Sequence, residues 1–208
     1  MRDDEQRHVL DAGLYRELIT EMRHLVVDMM VQITTEAIGQ YSPESQMQLV
    51  RTVEPQAVSV AFRELEQAAD QAQVQRFYCW ADEAGIAVQH ILYDVDDIRR
   101  WAKFMQGASL NSNEEQALLV LGRYAPDHLS VPQDIDPLLR TLKQLRSNTD
   151  WAICAFGSNE TACLKRAVEL GGKARIGFEN NMYCANGTIS SDNAGRVAEL
   201  VTELRGIP

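Results

Sequence analysis

The chain has 208 residues, enough to bury a sizeable core, and 45% hydrophobic with 24% charged residues excludes a disordered polymer. Lys and Arg number 20 against 30 Asp and Glu, and a net charge of −10 argues against nucleic-acid or anionic-membrane partners, because phosphates reward the opposite sign. No apolar run reaches a membrane span, Met1 is followed by Arg2-Asp3-Asp4-Glu5, and Cys79, Cys154, Cys163 and Cys184 lack C-x-x-C spacing, so the expectation is a cytoplasmic protein with reduced thiols.

Leu14, Leu18, Met22 and Leu25 recur at helical spacing behind Asp11, which predicts a capped opening helix. An apolar run at 28–34 predicts the first strand. Ser42-Pro43-Glu44 marks the next helix start, leading into Met47, Val50 and Val53, and the second strand falls at 56–62. Leu65, Ala69, Ala72, Phe77, Trp80 and Ala84 predict one long helix that stops at Gly85. A third strand at 87–93 precedes a helix from Asp94 to Gly107 that carries Ile98, Trp101 and Met105. The fourth strand, 116–122, precedes a stripe of Ile135, Leu138, Leu142 and Leu145 with Pro137 in its first turn. After the fifth strand at 151–156, Leu164, Ala167 and Val168 run into Gly171-Gly172, a double helix stop. A sixth strand at 174–178 and a helix through Val197, Leu200, Val201 and Leu204 close the chain.

Six strands with a helix between each pair are the signature of βα units and a parallel sheet. A doubly wound sheet would fit that count, as would a (β/α)8 barrel lacking its first two strands. A barrel needs about 250 residues, so the shortfall is close to two units. The absence of a Gly-rich turn after any strand favours the incomplete barrel. No Pro/Gly/Ser-rich linker or charge block interrupts the chain, so residues 1–208 are expected to form a single barrel domain, truncated at its N-terminus.

In either fold the chemistry sits at the carboxyl ends of the strands. Those positions read Thr34, Thr35 and Glu36; Ser59, Arg63 and Glu64; Tyr93 and Asp94; Arg123 and Tyr124; Gly157 and Ser158; and Glu179, Asn180 and Asn181. In Ala174-Arg175-Ile176-Gly177-Phe178-Glu179-Asn180-Asn181, period-two alternation puts Arg175, Gly177 and Glu179 on one strand face. That places a guanidinium and a carboxylate at the barrel mouth, or else an internal ion pair that satisfies both charges. A carboxylate here needs further ligands to hold a metal. His8 lies in the opening segment, His24 at a helix end and His90 mid-strand as a core histidine, which leaves His128 as the one imidazole near a strand end. G-x-S-x-G, P-loop and H-E-x-x-H patterns are absent.

Arg2-Asp3, Gln32-Ile33-Thr34-Thr35, Gly85-Ile86 with Tyr93-Asp94, Val120-Leu121-Gly122-Arg123-Tyr124, Gly171-Gly172 with the R-x-G-x-E-x-N run from Arg175, and Asp192-Asn193-Ala194 stand in a telling order. Together they make the chain resemble, over essentially its whole length, the beta-keto acid cleavage enzyme family (3-keto-5-aminohexanoate cleavage enzyme-like). The resemblance implies a zinc-dependent (β/α)8 barrel that exchanges acyl groups between a β-keto acid and acetyl-CoA, giving acetoacetate and a new CoA thioester. It implies Glu179 as a metal ligand and Arg175 as the stabiliser of anionic intermediates. Thr34 and, more weakly, Ser59 match hydroxyls near the substrate. The expected partners are the small β-keto acid, acetyl-CoA and further copies of the chain.

Three departures accompany the resemblance. The family's His-x-His pair precedes the segment that here begins at Met1, so both metal histidines are expected to be missing. The acidic residue that follows the metal Glu in the type enzyme is Asn180, also counted among the candidate catalytic residues. A strand often E-x-E in the family reads Gln89-His90-Ile91. Losing those carboxylates points to a substrate without an ammonium group, unless Glu36 or Glu64 turns inward. The alternative expectation is a non-catalytic barrel remnant that acts only through chain–chain interaction at its open sheet edges.

Overall fold

The computed structural model describes residues 5, 7–68, 70–108, 115–125, 127 and 129–207. Arg2, Asp3, Ala69 and His128 lie outside the described residues.

Local polar caps fix most helix starts. In α1 (Ala12–Leu25) the Asp11 carboxylate accepts from the Leu14 N–H at 2.9 Å. After β1 (Gln32–Thr34), the Ser42 hydroxyl caps α2 (Pro43–Val53), with Pro43 in its first turn. β2 (Ala57–Ala61) is buried along its length and runs into α3 (Phe62–Leu65), followed by α4 (Gln71–Glu83) and β3 (Ala87–Leu92). α5 (Val95–Gly107), β4 (Gln116–Leu121) and a 3-10 turn at Pro132–Asp134 lead to α6 (Ile135–Leu145). β5 (Asp150–Ala155), α7 (Glu160–Glu169), β6 (Lys173–Arg175) and α8 (Asn193–Leu204) complete the order.

The six strands lie in sheet order β1-β2-β3-β4-β5-β6. A doubly wound sheet reverses its order at a switch point, whereas this order never reverses. With a helical segment after each strand, the fold is an incomplete (β/α)8 barrel. The described residues fall into two compact units, the first within Met1–Ile91 and Lys103–Glu115, the second within Leu92–Ala102 and Gln116–Pro208.

In the first unit β1, β2 and β3 pair in parallel, with Thr34 opposite Ser59 and Ser59 opposite Gln89. Ile33, Val50, Val58, Val60, Val74 and Phe77 centre its core. The opening helix differs from the sequence reading: Tyr15 and Ile19 are buried, while Leu14, Leu18 and Leu25 are exposed. The Tyr15 hydroxyl donates to the Thr34 carbonyl at 2.9 Å, an anchor that turns the apolar stripe away from the core. The long helix expected over 65–84 is two helices. Asp70 interrupts it by accepting from the Ala72 N–H at 2.9 Å and holding Arg76 at 3.0 Å, a local cap competing with continuation of the helix.

In the second unit β4, β5 and β6 pair in parallel, with Cys154 opposite Arg175. Leu118, Leu119, Ile135, Leu142, Ile153 and Leu164 are fully buried there. α7 ends in a Schellman motif, the Gly171 N–H reaching the Val168 carbonyl and the Gly172 N–H the Ala167 carbonyl, each at 2.9 Å. Gly171 takes φ +84°, a left-handed conformation that suits glycine. Among the described residues no helix is long and apolar enough to cross a membrane.

Candidate active site

Arg175 is the last residue of β6, and the chain then leaves the strand for a turn in which the Asn180 and Asn181 N–H groups return to the Gly177 carbonyl at 3.0 and 3.3 Å. The run expected to stay extended to 178 therefore stops three residues early. Arg175 and Glu179 meet all the same, because the turn carries Glu179 back: Arg175 Nη2 donates to Glu179 Oε2 at 2.8 Å. The guanidinium side chain is 37% exposed and the carboxylate 53%, so the pair faces solvent and is no sealed internal bridge.

Beneath this turn lies a buried polar network. Asn180 is buried, its Nδ2 donates to Glu160 Oε1 at 3.1 Å, and its Oδ1 accepts from the Cys154 thiol at 3.2 Å. The Gly177 N–H points at the same Glu160 Oε1 at 3.4 Å, and Arg196 Nη2 donates to Glu160 Oε2 at 2.7 Å. Burial pushes the Glu160 carboxyl above its ordinary value, against the pull of Arg196 and Asn180. Burial likewise pushes the Cys154 thiol up to about 12, which keeps it protonated and a hydrogen-bond donor. Glu160 and Arg196, both fully buried, were absent from the strand-end reading. They stand at the first turns of α7 and α8, 36 residues apart, and nothing local in the sequence joins them.

In the first unit, Thr34 ends β1 half-buried, its hydroxyl accepting from the Glu36 N–H at 3.1 Å. Ser59 sits at the middle of β2 rather than its end, buried, with its hydroxyl directed at the Ile33 carbonyl at 3.4 Å. The register nevertheless places Thr34 and Ser59 side by side. Glu64 follows β2, and its two oxygens face the Ala37 N–H at 3.0 and 3.3 Å. Burial pushes its carboxyl up, and the Glu36 charge adds to that, while the backbone donors pull it down. Gln89 is half-buried on β3, whereas Ile91 is buried and His90 is buried and stacked on Tyr78 at 5.3 Å between centroids.

After β3 the polar groups serve a helix cap, whereas after β4 Arg123 lies over the Phe156 ring and Tyr124 packs edge-on against Tyr93. The Asp94 carboxylate accepts from the Asp97 N–H at 2.7 Å, and buried Asp97 accepts from the Tyr93 N–H at 2.9 Å. A cleft of about 460 Å³ in the second unit is lined by Tyr93, Asp94, Leu121, Gly122, Leu129 and Asp134, among others, and shares no residue with the Arg175–Asn181 segment. We place the candidate site at Arg175 and Glu179 because the cleft's Asp94 and Asp134 carboxylates are engaged with backbone N–H groups.

The described residues do not fit a zinc site at Glu179. A catalytic zinc takes about three protein ligands. Here the carboxylate already receives the Arg175 guanidinium, and among the described residues no group of three or more His, Cys, Asp or Glu is placed to hold a metal ion. His8 is turned to the Glu36 carbonyl at 2.6 Å and His24 is exposed at the end of α1.

A chain of the crystal structure of the Amycolatopsis orientalis BexX/CysO complex superposes with a TM-score of 0.50 at 12% identity, over 99% of this chain and 79% of that one, a likeness of fold alone. A family model described as beta-keto acid cleavage enzyme matches residues 1–207.

Proposed function

The chain belongs to the beta-keto acid cleavage enzyme family, and from that premise we propose that it exchanges acyl groups between a β-keto acid and acetyl-CoA. In that exchange R-CO-CH2-COO⁻ and acetyl-CoA become R-CO-S-CoA and acetoacetate, so the two acyl groups trade places and no oxidant is consumed. Negative charge develops on a carbonyl oxygen whenever the carbon–carbon bond forms or breaks. The observation that carries the reading is the Arg175–Glu179 pair, a solvent-facing guanidinium at the carboxyl end of β6 with its orientation fixed at 2.8 Å. Arg175 would bind the substrate carboxylate or the developing oxyanion, and Glu179 would hold the guanidinium fork for it. Asn180 would seat the turn from below. A zinc at this point would need protein ligands beyond Glu179.

The test is turnover of the purified 208-residue chain with acetyl-CoA and a panel of β-keto acids, following acetoacetate and the new thioester. Arg175→Ala should lower kcat by about 10² to 10³, the usual effect of removing one donor to a developing oxyanion. Equal turnover in that variant would reduce Arg175 to a structural partner of Glu179. Inactivity of the unmodified chain towards every β-keto acid would favour a non-catalytic chain that works through contacts with other chains.

A further inference from the structure

We propose that the buried Glu160–Arg196 pair positions the Arg175–Glu179 turn, so that Glu160 and Arg196 act as positioning residues for the chemistry proposed above, on which this inference rests. Two opposite charges at 0% exposure are a weak source of stability, because well-packed apolar residues of the same volume usually do as well or better. The pair here carries an extra burden as well: Arg196 Nε has no partner among the described residues. Stability alone does not explain its presence, but the groups that converge on it do.

Glu160 Oε1 accepts from both the Gly177 N–H and Asn180 Nδ2, which lie on either side of Phe178 and Glu179. The turn is tied elsewhere too. The Phe178 N–H donates to Asn193 Oδ1 at 2.9 Å, and the Gly157 N–H donates to the Asn180 carbonyl at 3.2 Å. Asn193 and Arg196 both belong to the first turn of α8, whose start is set by Asp192 accepting from the Gly195 N–H at 2.7 Å. Arg196 also reaches Thr161 Oγ1 at 3.3 Å and pairs with Glu199. A carboxylate has enough lone pairs to take these donors together, and at full burial each bond is electrostatically stronger than in water. α7 and α8 thus grip the turn through one carboxylate, and the grip fixes where Glu179 presents itself to Arg175.

Two double variants separate positioning from packing, since each removes both fully buried charges and each takes Arg196 from Glu199 alike. Glu160→Met with Arg196→Met removes the acceptor of Gly177 and Asn180, whereas Glu160→Gln with Arg196→Met keeps an amide oxygen there. Hydrogen exchange across 176–181 should accelerate about tenfold or more in the Met/Met variant, with protection in β4 and β5 unchanged, as for loss of local hydrogen bonds in an intact unit. The Gln/Met variant should stay within about threefold of the unmodified chain, its acceptor replacing the carboxylate. In acyl exchange, the Met/Met variant should lose kcat about tenfold or more with KM changed far less, and Gln/Met should recover most of it. Equal exchange across 176–181 in the two variants would overturn the proposal. An unmodified chain without turnover would instead refute the proposed function, and the exchange comparison would still decide whether Glu160 holds the turn.

Discussion

At the level of single residues, Asn180 stands next to Glu179 where the type enzyme that the chain resembles carries an acidic residue. A β-keto acid bearing an ammonium group needs a nearby carboxylate, because a desolvated cation without a counter-charge costs several kcal/mol. Asn180, Gln89 and Ile91 stand at positions that are acidic in the type enzyme the chain resembles, and Glu64 is turned to the Ala37 backbone. Neutral β-keto acids should therefore give a higher kcat/KM than amino-substituted ones of the same length, in parallel assays with acetyl-CoA. A preference for the amino-substituted member would defeat this reading. Cys154 gives a second outcome, independent of activity. Its thiol, pushed to about 12, keeps its proton where an unfolded thiol near 9.0 has lost it. Between those values the unfolded chain is favoured by proton release, so Cys154 makes the fold less stable as the pH rises past 9. A thiol reagent at pH 8 should modify half-buried Cys79 and Cys184 first, leaving buried Cys154 and Cys163 unmodified until denaturant is added. Labelling of Cys154 in the native chain, read by peptide mass, would contradict the buried network.

Among the elements, the α7–β6 connection shows how two adjacent glycines serve different needs. Gly171 takes the left-handed conformation of the Schellman motif, while Gly172 makes room for a neighbour. A Cβ on Gly172 would lie 2.4 Å from the Trp151 ring, on the strand paired with β6. Gly172→Ala must displace that indole or shift β6, and should cost about 1 to 3 kcal/mol, as other overpacked sites do. Urea titration of the variant checks this, and a midpoint equal to that of the unmodified chain would show that Trp151 moves freely. Because β6 has only three residues and ends at Arg175, the same substitution should lower activity as well as stability. The break between α3 and α4 teaches a related lesson. Apolar residues at helical spacing continue through 65–84, yet α3 stops at Leu65 and Asp70 with Arg76 supplies the cap that begins α4.

At the scale of the molecule, the zinc expected from the resemblance meets a chain whose described residues offer Glu179 without the imidazole or carboxylate partners of a catalytic site. Purified 208-residue protein dialysed against a mild chelator should retain well under one zinc per chain by elemental analysis. A tightly held stoichiometric zinc would point to further ligands, with His128 the first to replace. The alternation of six strands with helices, the caps at Asp11 and Ser42, and the stop at Gly171 were legible in the sequence. Each depends on residues within one or two turns of one another, where spacing alone decides who meets whom. The placement of Arg175 and Glu179 together was legible too, although a turn rather than strand alternation brings it about. Which face of α1 is buried was not, because Leu14 and Leu18 keep helical spacing as well as Tyr15 and Ile19 do, and the acceptor that anchors the Tyr15 hydroxyl, the Thr34 carbonyl, lies 19 residues away. Nor was the floor of the candidate site: Glu160 finds Arg196 at a separation of 36 residues, and Cys154 finds Asn180 at 26. Those partners share no local pattern, and it takes the packing of α7, α8 and β5 to bury the polar groups together and make each depend on the few partners within reach.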